Sequence, residues 1–403
     1  MVAARGGAFA SLAAPGYPSL WASSWFYAST RWMGLFLGSY LINERTGSEF
    51  LVQAAGAAFF APMFLGGPLA GAIADRFDRR SVLLWQLIAL LPMALLVGIV
   101  EMGGSVPIAG IYGLLVAMGT GGVLDWTCRR AFVYDVVGEE LANNALALEM
   151  VSLSSGNMLG SMFGGSLIEF LGTGQAFAGI AVMYGITFVL LLPVSAQPLA
   201  AGSGRGSFVD DMREGLAVLG RDRPLVSILI VTLVMNLFYF SFLPLAPVFG
   251  ERLEVNALLT GILAGGQGAG MVAGSFFLAA RPPGRRGLAY VVGSFFAMAF
   301  LVPFALVSSY PIALAAVLAA GISASAFGTM QGLLVMVTAS PEMRGRAMGL
   351  LGMAIGALPF GMLTLGGAAQ WLGAPTALTL SVATGALLMV LCLLRWPEVL
   401  KVD

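Results

Sequence analysis

GGPLAGAIADRFDRRSVLLWQL, the stretch from residue 66 to residue 87, contains the feature on which the fold depends. A glycine-rich apolar run breaks into five charges within six residues, Asp75, Arg76, Asp78, Arg79 and Arg80, and an apolar run resumes immediately afterwards. A charged burst between two long apolar runs is typical of a short turn between membrane-spanning helices. The stretch therefore predicts a chain that leaves a bilayer at this point and re-enters it at once.

The composition extends this prediction to the whole chain. Of its 403 residues, 59% are hydrophobic and only 10% are charged, whereas a soluble globular protein has about 25% charged residues. Apolar runs of about 20 residues, each long enough to cross the hydrocarbon layer as a helix, recur throughout. We therefore expect an all-α polytopic membrane protein and not the two or three soluble domains that the length alone would allow.

The apolar runs predict twelve spans, six in each half of the chain. Their predicted ranges are 18–42, 50–73, 81–100, 107–128, 144–170, 174–196, 224–249, 257–280, 287–308, 311–337, 346–370 and 374–395. The longest polar stretch falls between the sixth and seventh spans, and its Gly/Ser-rich start is typical of a linker. We expect three parts: an N-terminal six-helix bundle (1–196), a cytoplasmic linker with an amphipathic helix (197–223) and a C-terminal six-helix bundle (224–403).

A weak internal repeat relates the two halves. Gly67 and Gly71 recur in the second half as Gly270 and Gly274, and each pair precedes a basic turn. Glycines four residues apart give a helix a small face against which another helix can pack closely. The repeat indicates a duplicated six-helix unit.

The basic residues predict the orientation of the spans. With both termini in the cytoplasm, seventeen of the twenty lysine and arginine residues fall on the cytoplasmic side. The opposite side keeps only Arg45 and Arg252, and Arg31 lies within the first span. Because cytoplasmic loops carry an excess of positive charge, this separation favours cytoplasmic termini.

The sequence lacks the residues on which several classes of protein function usually depend. The chain has no histidine and only two cysteines, Cys128 and Cys392, which predicts neither a metal site nor a cofactor. The glycine-rich GGQGAG (265–270) lies in an apolar run and lacks the Gly-Lys-Ser/Thr of a phosphate-binding loop. We expect no enzyme and no nucleic-acid partner. The expected partners are a small-molecule substrate, protons and the lipid bilayer, with the protein acting as a monomer.

Four separated motifs carry a family resemblance. They are STRWMGLFLGSYLINERTGS (29–48), GGPLAGAIADRFDRR (66–80), DWTCRRAFVYDVVGEELANNALALEMVS (125–152) and SPEMRGRAMGL (340–350). With them the chain resembles the major facilitator superfamily, and within it the bacterial branch of siderophore exporters, such as those for enterobactin, and macrolide exporters. Asp78 stands where the general motif has glycine. The resemblance implies a multi-pass protein of the bacterial cytoplasmic membrane, with two six-helix bundles around a cavity lined mainly by spans one, four, seven and ten.

The resemblance also implies a cytoplasmic latch between the two bundles. Asp75 would face the start of the eleventh span near Gly345, where unpaired N–H groups and the helix dipole attract an anion. Such a contact would form only while the protein opens outward. The candidate latch residues are Asp75, Arg76, Arg79, Arg80, Gly67, Gly71, Arg344 and Arg346. The alternative for the arginines of the turn is that they only orient the chain.

Ionisable residues within the spans are candidates for proton coupling, because charges inside a membrane are costly. These are Asp125, Glu149, Arg31 and Arg129, and we favour Asp125, with Glu149 second. Burial favours the neutral form of a carboxyl group and a nearby arginine the charged form, so a changing distance to Arg31 or Arg129 could load and release a proton. The alternative for Asp125 is an i, i+4 pair with Arg129 that only neutralises a helix end.

Aromatic and amide side chains within the spans are candidates for contact with a substrate. They are Trp25, Tyr27, Asn236, Tyr239 and Gln331. Aromatic walls with a few polar groups suit a bulky amphiphilic molecule, although simple helix packing is the alternative for these aromatics.

A secondary active transporter accounts best for these features, with proton-coupled export of a bulky amphiphile such as a drug, macrolide or siderophore. Export rests on the family resemblance. The alternatives are a membrane receptor or sensor that transports nothing, and an importer of a small organic solute on the same fold. Flux in sealed vesicles separates a transporter from a receptor.

Overall fold

The structure of the chain is a computed structural model. This structure describes residues 9–195, 223–340 and 343–402, without the side chains at positions 65, 67–69, 72, 74 and 75. The amphipathic helix predicted within the linker lies outside the described residues. The segments Ala10–Ala13 and Pro397–Lys401 form short 3-10 helices near the two ends of the chain.

Twelve helical spans make up the fold, and their positions follow the apolar runs of the sequence. They are α1 (Tyr17–Thr46), α2 (Glu49–Arg76), α3 (Arg79–Gly103), α4 (Ile108–Val137), α5 (Glu139–Leu171), α6 (Thr173–Leu191), α7 (Arg223–Arg252), α8 (Ala257–Ala280), α9 (Arg286–Leu306), α10 (Tyr310–Thr338), α11 (Arg344–Leu372) and α12 (Ala374–Arg395). Within the described part of the chain, nine of these helices are long and apolar enough to cross a membrane by length and composition. Of the other three, α1 and α5 are less uniformly apolar, and α2 is apolar over Glu49–Phe64, the part of it that is described without gaps. The predicted all-α class with about twelve spans in two bundles is confirmed.

Each half of the chain buries its own apolar core. The first core includes Tyr17 and Phe132 among the helices α1 to α6, and the second includes Tyr290 and Phe304 among α7 to α12. Large side chains such as these exclude water from the interior of each bundle. The two ends of the chain lie on the same side, because an even number of spans separates them. We call this side the terminal side and the opposite side the far side.

Helix α7 is interrupted in its middle. A π-helical turn at Met235–Tyr239 is followed by a 3-10 segment at Phe240–Leu245 that contains Pro244. Proline lacks the N–H that an α-helix needs at this position, so the regular hydrogen-bond ladder breaks here. Asn236 lies in the π turn, where its Nδ2 donates to the carbonyl of Thr232 at 2.9 Å.

The charged turn between α2 and α3 fastens helix ends of its own bundle. Asp78 is the N-cap of α3, Arg79 forms an ion pair with Asp135 near the end of α4, and Arg80 donates to the carbonyl of Leu192 after α6 at 2.7 Å. In this conformation Arg79 and Arg80 thus contact their own bundle, and their role in a latch stays a prediction. The pair with Asp135 also helps to explain why α4 continues to Val137, past its predicted end at residue 128.

Asp78 has a structural reason to replace the glycine of the general motif. Its Oδ2 accepts from the backbone N–H and the hydroxyl of Ser81, at 2.8 and 2.7 Å. We expect Asp78→Ala to lower the free energy of unfolding by about 1 kcal/mol, the usual effect of losing such a cap. Thermal unfolding in detergent measures this change. Asp78→Asn keeps an acceptor and should melt close to the parent; equal losses in both variants would contradict a capping role.

Candidate functional site

A cavity of about 660 Å³ lies between the two bundles. Helices α1, α2, α4 and α5 line it from the first bundle, and α7, α8, α10 and α11 line it from the second. The expected lining by spans one, four, seven and ten is thus extended by four further helices. Much of its wall is aromatic, from Trp32, Phe60, Phe64, Trp126, Phe240 and Phe327.

The far side of the cavity is closed by hydrogen bonds between the bundles. Asn43 donates its Nδ2 to Glu251 Oε2 at 2.7 Å. The carboxylates of Glu49 and Glu169 accept from the first N–H groups of α12 and α8, at 2.9 and 3.2 Å. Unpaired N–H groups and the helix dipole at a helix N-terminus attract carboxylates, so these contacts hold the closed arrangement.

Helices α5 and α8 touch closely as part of this closure. A Cβ atom added at Gly261 would lie 2.5 Å from the carbonyl oxygen of Ser161 and 2.9 Å from the Cα of Gly165. A Cβ added at Gly165 would lie 2.4 Å from the carbonyl oxygen of Ala257. Backbone atoms cannot give way as flexible side chains can, so only glycine permits this approach.

Gly261→Val should therefore favour opening of the far side. Overpacking costs about 1 to 3 kcal/mol, and this cost falls on the conformation in which α5 and α8 touch. A reporter cysteine at Ser39, which is 1% exposed and lies between the bundles, is read by maleimide labelling. We expect labelling to accelerate at least about fivefold.

Two choices make this measurement specific. The natural cysteines Cys128 and Cys392 are replaced by serine in all variants. Gly367→Val is the control, since a Cβ there meets no atom of the described residues within 4 Å. Equal labelling of both valine variants would contradict a role for the α5–α8 contact in closing the far side.

The cavity opens toward the terminal side. Its lining extends to Gly349, Gly352 and Met353, near the beginning of α11. A Cβ at Gly349 would meet no atom within 4 Å among the described residues. Farther from the terminal side the two bundles meet again, where the rings of Phe64 and Phe360 lie 5.2 Å apart. The structure thus has one open end and one closed end.

The predicted latch lies at this open end. The side chain of Asp75 and residue Gly67 fall outside the described side chains, and Arg76 is exposed. Within the described part of the chain, a Cβ at Gly71 or at Gly345 would meet no atom within 4 Å. As far as the described atoms show, α2 and α11 do not approach each other at Gly71 in this conformation, and the latch of the outward-open state stays a prediction.

The arginines at the start of α11 contact their own bundle. Arg344 donates its Nε to the carbonyl of Met336 at 3.1 Å, and Arg346 places Nη1 at 3.5 Å from the sulfur of Met343. The role of Arg344 and Arg346 in a latch of another conformation therefore stays a prediction.

Two of the five predicted substrate contacts line the cavity. Asn236 and Gln331 are among its lining residues. Gln267 and Asn157, also in the lining, hydrogen-bond across the two bundles at 3.1 Å. Asn157 was not predicted, because its position in a helix with many polar residues does not reveal which face meets the cavity.

The other three predicted contacts lie away from the cavity. Trp25 donates its Nε1 to the hydroxyl of Ser155 on α5, at 3.1 Å. Tyr27 is buried inside the first bundle, and Tyr239 packs in the core of the second. These aromatics were predicted as substrate contacts because they lie deep in their spans. The rotation of each helix about its axis, however, turns them toward their own bundle.

A buried acid–base cluster lies inside the first bundle. Arg129 donates Nε and Nη2 to the two carboxylate oxygens of Asp125, at 2.9 and 2.7 Å. Its Nη1 donates to the hydroxyls of Ser23 and Ser24 at 2.8 and 3.0 Å. Gln86 donates Nε2 to Asp125 Oδ1 at 3.1 Å. Both oxygens of Asp125 thus have hydrogen-bond partners, and the i, i+4 pair with Arg129 is joined by side chains of α1 and α3.

Glu149 belongs to the same cluster, but its carboxylate has fewer hydrogen-bond partners than that of Asp125. It is 7% exposed, and its Oε1 has no hydrogen-bond partner among the described residues. Ser24, whose hydroxyl accepts from Arg129, is also a neighbour of Glu149. The neighbouring residue Met150 lines the cavity, so the cluster lies directly behind the cavity wall.

Arg31 forms no ion pair with this cluster among the described residues, although it and Asp125 both lie near Tyr27. It lines the cavity, where its guanidinium lies over the ring of Phe59 with Cζ 4.9 Å from the ring centroid. No carboxylate of the described residues forms an ion pair with it. The four predicted coupling residues thus divide into a cluster of three and one cation in the cavity.

Two six-helix bundles around a cavity that is open at one end define the class of two-bundle membrane transport proteins. The chain belongs to the Major Facilitator Superfamily, whose family model matches residues 20–362. This membership indicates a transporter and not an enzyme, as the sequence predicts.

Known proteins resemble the chain in part of its sequence. Macrolide efflux protein A of Streptococcus pyogenes is 22% identical over 213 residues, which cover 52% of this chain and 52% of that protein. An uncharacterized MFS-type transporter of Mycobacterium tuberculosis is 30% identical over 187 residues, or 46% of this chain and 38% of that protein. The chain thus matches about half the length, or less, of these curated relatives.

Solved structures share the whole fold at low identity. A bacterial homolog of the human lysosomal transporter Spinster, in an inward-facing and unoccupied conformation, matches with a TM-score of 0.75 and 14% identity, over 96% of this chain and 98% of that one. A POT family transporter in complex with 5-aminolevulinic acid matches with a TM-score of 0.77 and 10% identity, over 96% and 97%. At such identities the likeness concerns the fold alone.

Proposed function

We propose that the protein is a secondary active transporter that exports a bulky amphiphilic small molecule in exchange for protons. The observation that carries the proposal is a large aromatic cavity between the bundles, open at one end only, with a buried acid–base cluster behind its wall. The similarity to a protein named for macrolide efflux supports export and the macrolide or siderophore branch.

The proposed orientation places both termini in the cytoplasm of a bacterial cell, with the protein acting as a monomer in the cytoplasmic membrane. The excess of arginine at the terminal side supports it, because positive charges favour the cytoplasmic side. The cavity of the present conformation then opens to the cytoplasm, where a substrate for export would enter. Alternating access requires a second conformation that opens at the far side.

Within the cluster, we assign the transported proton to Glu149 and give Asp125 a supporting role. Both oxygens of Asp125 are occupied by Arg129, whereas Glu149 has a carboxylate oxygen with no described partner. This reverses the order of preference that the sequence gives, because Arg129 already engages Asp125 through two charge-assisted hydrogen bonds. A rearrangement around Ser24 would change how well Arg129 stabilises the charge on Glu149.

The latch at Asp75 belongs to the conformation that opens at the far side. Asp75 lies one residue before the end of α2, at the terminal side. We expect Asp75→Asn to depress transport without lowering membrane abundance, because it removes the charge that prefers the start of α11 in one state only. A reporter cysteine at Met353, in the terminal part of the cavity, should label faster. Asp75→Glu keeps the charge and is the control; unchanged labelling with full transport would make Asp75 an ordinary turn residue.

Export is tested in cells that overproduce the protein and are loaded with one of three bulky amphiphiles, erythromycin, enterobactin or fusidate. Faster efflux than in cells with empty vector supports the proposal. Faster uptake would indicate an importer, and binding to purified protein without movement of any compound would indicate a receptor.

A further inference from the structure

The cavity has a positive charge without a negative counterpart. Arg31 is the one charged side chain among the described residues that line it. The acidic side chains nearest in sequence on the lining helices are used elsewhere: Asp125 pairs with Arg129, and Glu149 interacts with Arg129 and Arg130. An arginine in a membrane interior is costly and normally has a partner or water-filled space. The cavity supplies space but no described anion.

The guanidinium of Arg31 is held in place from two sides. One face lies over the ring of Phe59, at 4.9 Å from the centroid. The other neighbour is the backbone of α4, since a Cβ added at Gly122 would lie 2.4 Å from Arg31 Cζ and 2.6 Å from its Nε. Its Nε is buried without a hydrogen-bond partner in the described part of the chain. The group is therefore positioned, and no described residue forms a hydrogen bond with its Nε.

The rest of the cavity suits the apolar body of a large ligand. Phe60, Phe64 and Trp126 line it from the first bundle, and Phe240 and Phe327 from the second. The volume of about 660 Å³ fits a molecule of drug size or larger. Two uncharged amides of the second bundle, Asn236 and Gln331, could orient such a molecule, whereas the Oε1 of Gln267 already accepts a hydrogen bond from Asn157.

From this arrangement we propose that Arg31 binds the carboxylate of a bulky amphiphilic substrate whose apolar body lies against the aromatic wall. A planar guanidinium matches a carboxylate with two parallel hydrogen bonds, which gives this anion an advantage that a neutral or cationic group lacks. The proposal rests on the proposed transport function and deepens it, because it names the chemical class of the substrate.

Matched probes test the charge preference directly. Fusidate and 1-pyrenebutyrate are bulky carboxylates, and their methyl esters have nearly the same shape without the charge. Dissociation constants are measured on the full chain in lipid nanodiscs, with empty nanodiscs as the blank. We expect each carboxylate to bind at least about tenfold more tightly than its ester. If neither carboxylate is preferred to its ester, the assignment is wrong.

Variants then locate the preference at Arg31. Arg31→Gln should remove the difference between acid and ester, and Arg31→Lys should keep part of it. Gly122→Ala retains the charge but displaces the guanidinium, and should reduce the preference without abolishing ester binding. Arg281→Gln is the control, since Arg281 also stacks on an aromatic ring, that of Phe277, but is exposed and outside the cavity. A preference that survives Arg31→Gln in protein with a normal melting temperature overturns the proposal.

Failure of this site and failure of export give different results. Preferential carboxylate binding that depends on Arg31, with no flux of any compound, would keep the site and reject the transporter. Export of erythromycin or enterobactin, with no preference for acid over ester in either matched pair, would keep the transporter and reject the site.

Discussion

Glu149→Gln is expected to abolish substrate accumulation driven by a pH gradient in proteoliposomes. Each pH unit supplies about 1.4 kcal/mol per proton, so an exchanger of one proton for one substrate accumulates substrate up to about tenfold per unit. Glutamine cannot release a proton, so the variant should equilibrate its substrate without accumulating it. The substrate is the compound that the export assay finds to move fastest, and the membrane potential is held at zero with potassium and valinomycin.

The control for this prediction is on the same helix. Glu140 is exposed near the start of α5, and Glu140→Gln should keep the full response to the gradient. Asp125→Asn should retain part of the response, because Asp125 supports Arg129 and does not carry the proton itself. Full gradient-driven accumulation by Glu149→Gln would reject Glu149 as the coupling residue.

Arg129→Gln is expected to destabilise the first bundle strongly. It leaves Asp125 buried, 8% exposed, without the guanidinium that satisfies both of its oxygens. Breaking a buried ion pair by removing one partner costs about 3 to 5 kcal/mol, mainly because the remaining charge is left uncompensated. Unfolding in mixed detergent micelles measures the loss.

A double variant separates this cause from general damage. Asp125→Asn together with Arg129→Gln removes both charges, and should recover most of the lost stability. Arg285→Gln, the same change at an exposed position before α9, should cost little. If the double variant is no more stable than Arg129→Gln, the uncompensated charge is not the cause.

Much of the fold could be predicted because local signals suffice for it. Apolar runs set the twelve helices, and the charges of the turn at residues 75–80 mark where the chain leaves the membrane. The contact between Asp125 and Arg129 was also predictable, since residues four apart share a helix face. Because only Phe77 and Asp78 separate α2 from α3, Asp78 lies directly before α3, where its side chain can act as the N-cap.

The rest depends on helix rotation and on contacts between distant residues. Tyr27 and Asn236 both lie deep in their spans, yet only Asn236 lines the cavity. The separation of Arg31 from the cluster depends on how α1 packs against α4, where Gly122 gives the guanidinium its place. Likewise, the bond from Asn43 to Glu251 joins residues of different bundles. Sequence spacing holds no information on such pairs.

Exchange of substrate for protons is most directly tested by the internal pH of proteoliposomes that contain the dye pyranine. The exported compound is added outside, with no initial pH gradient and with the membrane potential held at zero. For the parent protein we predict that the interior becomes alkaline as substrate enters, and that Glu149→Gln admits substrate with no such change. Entry of substrate through the parent protein without any change in internal pH would contradict proton exchange.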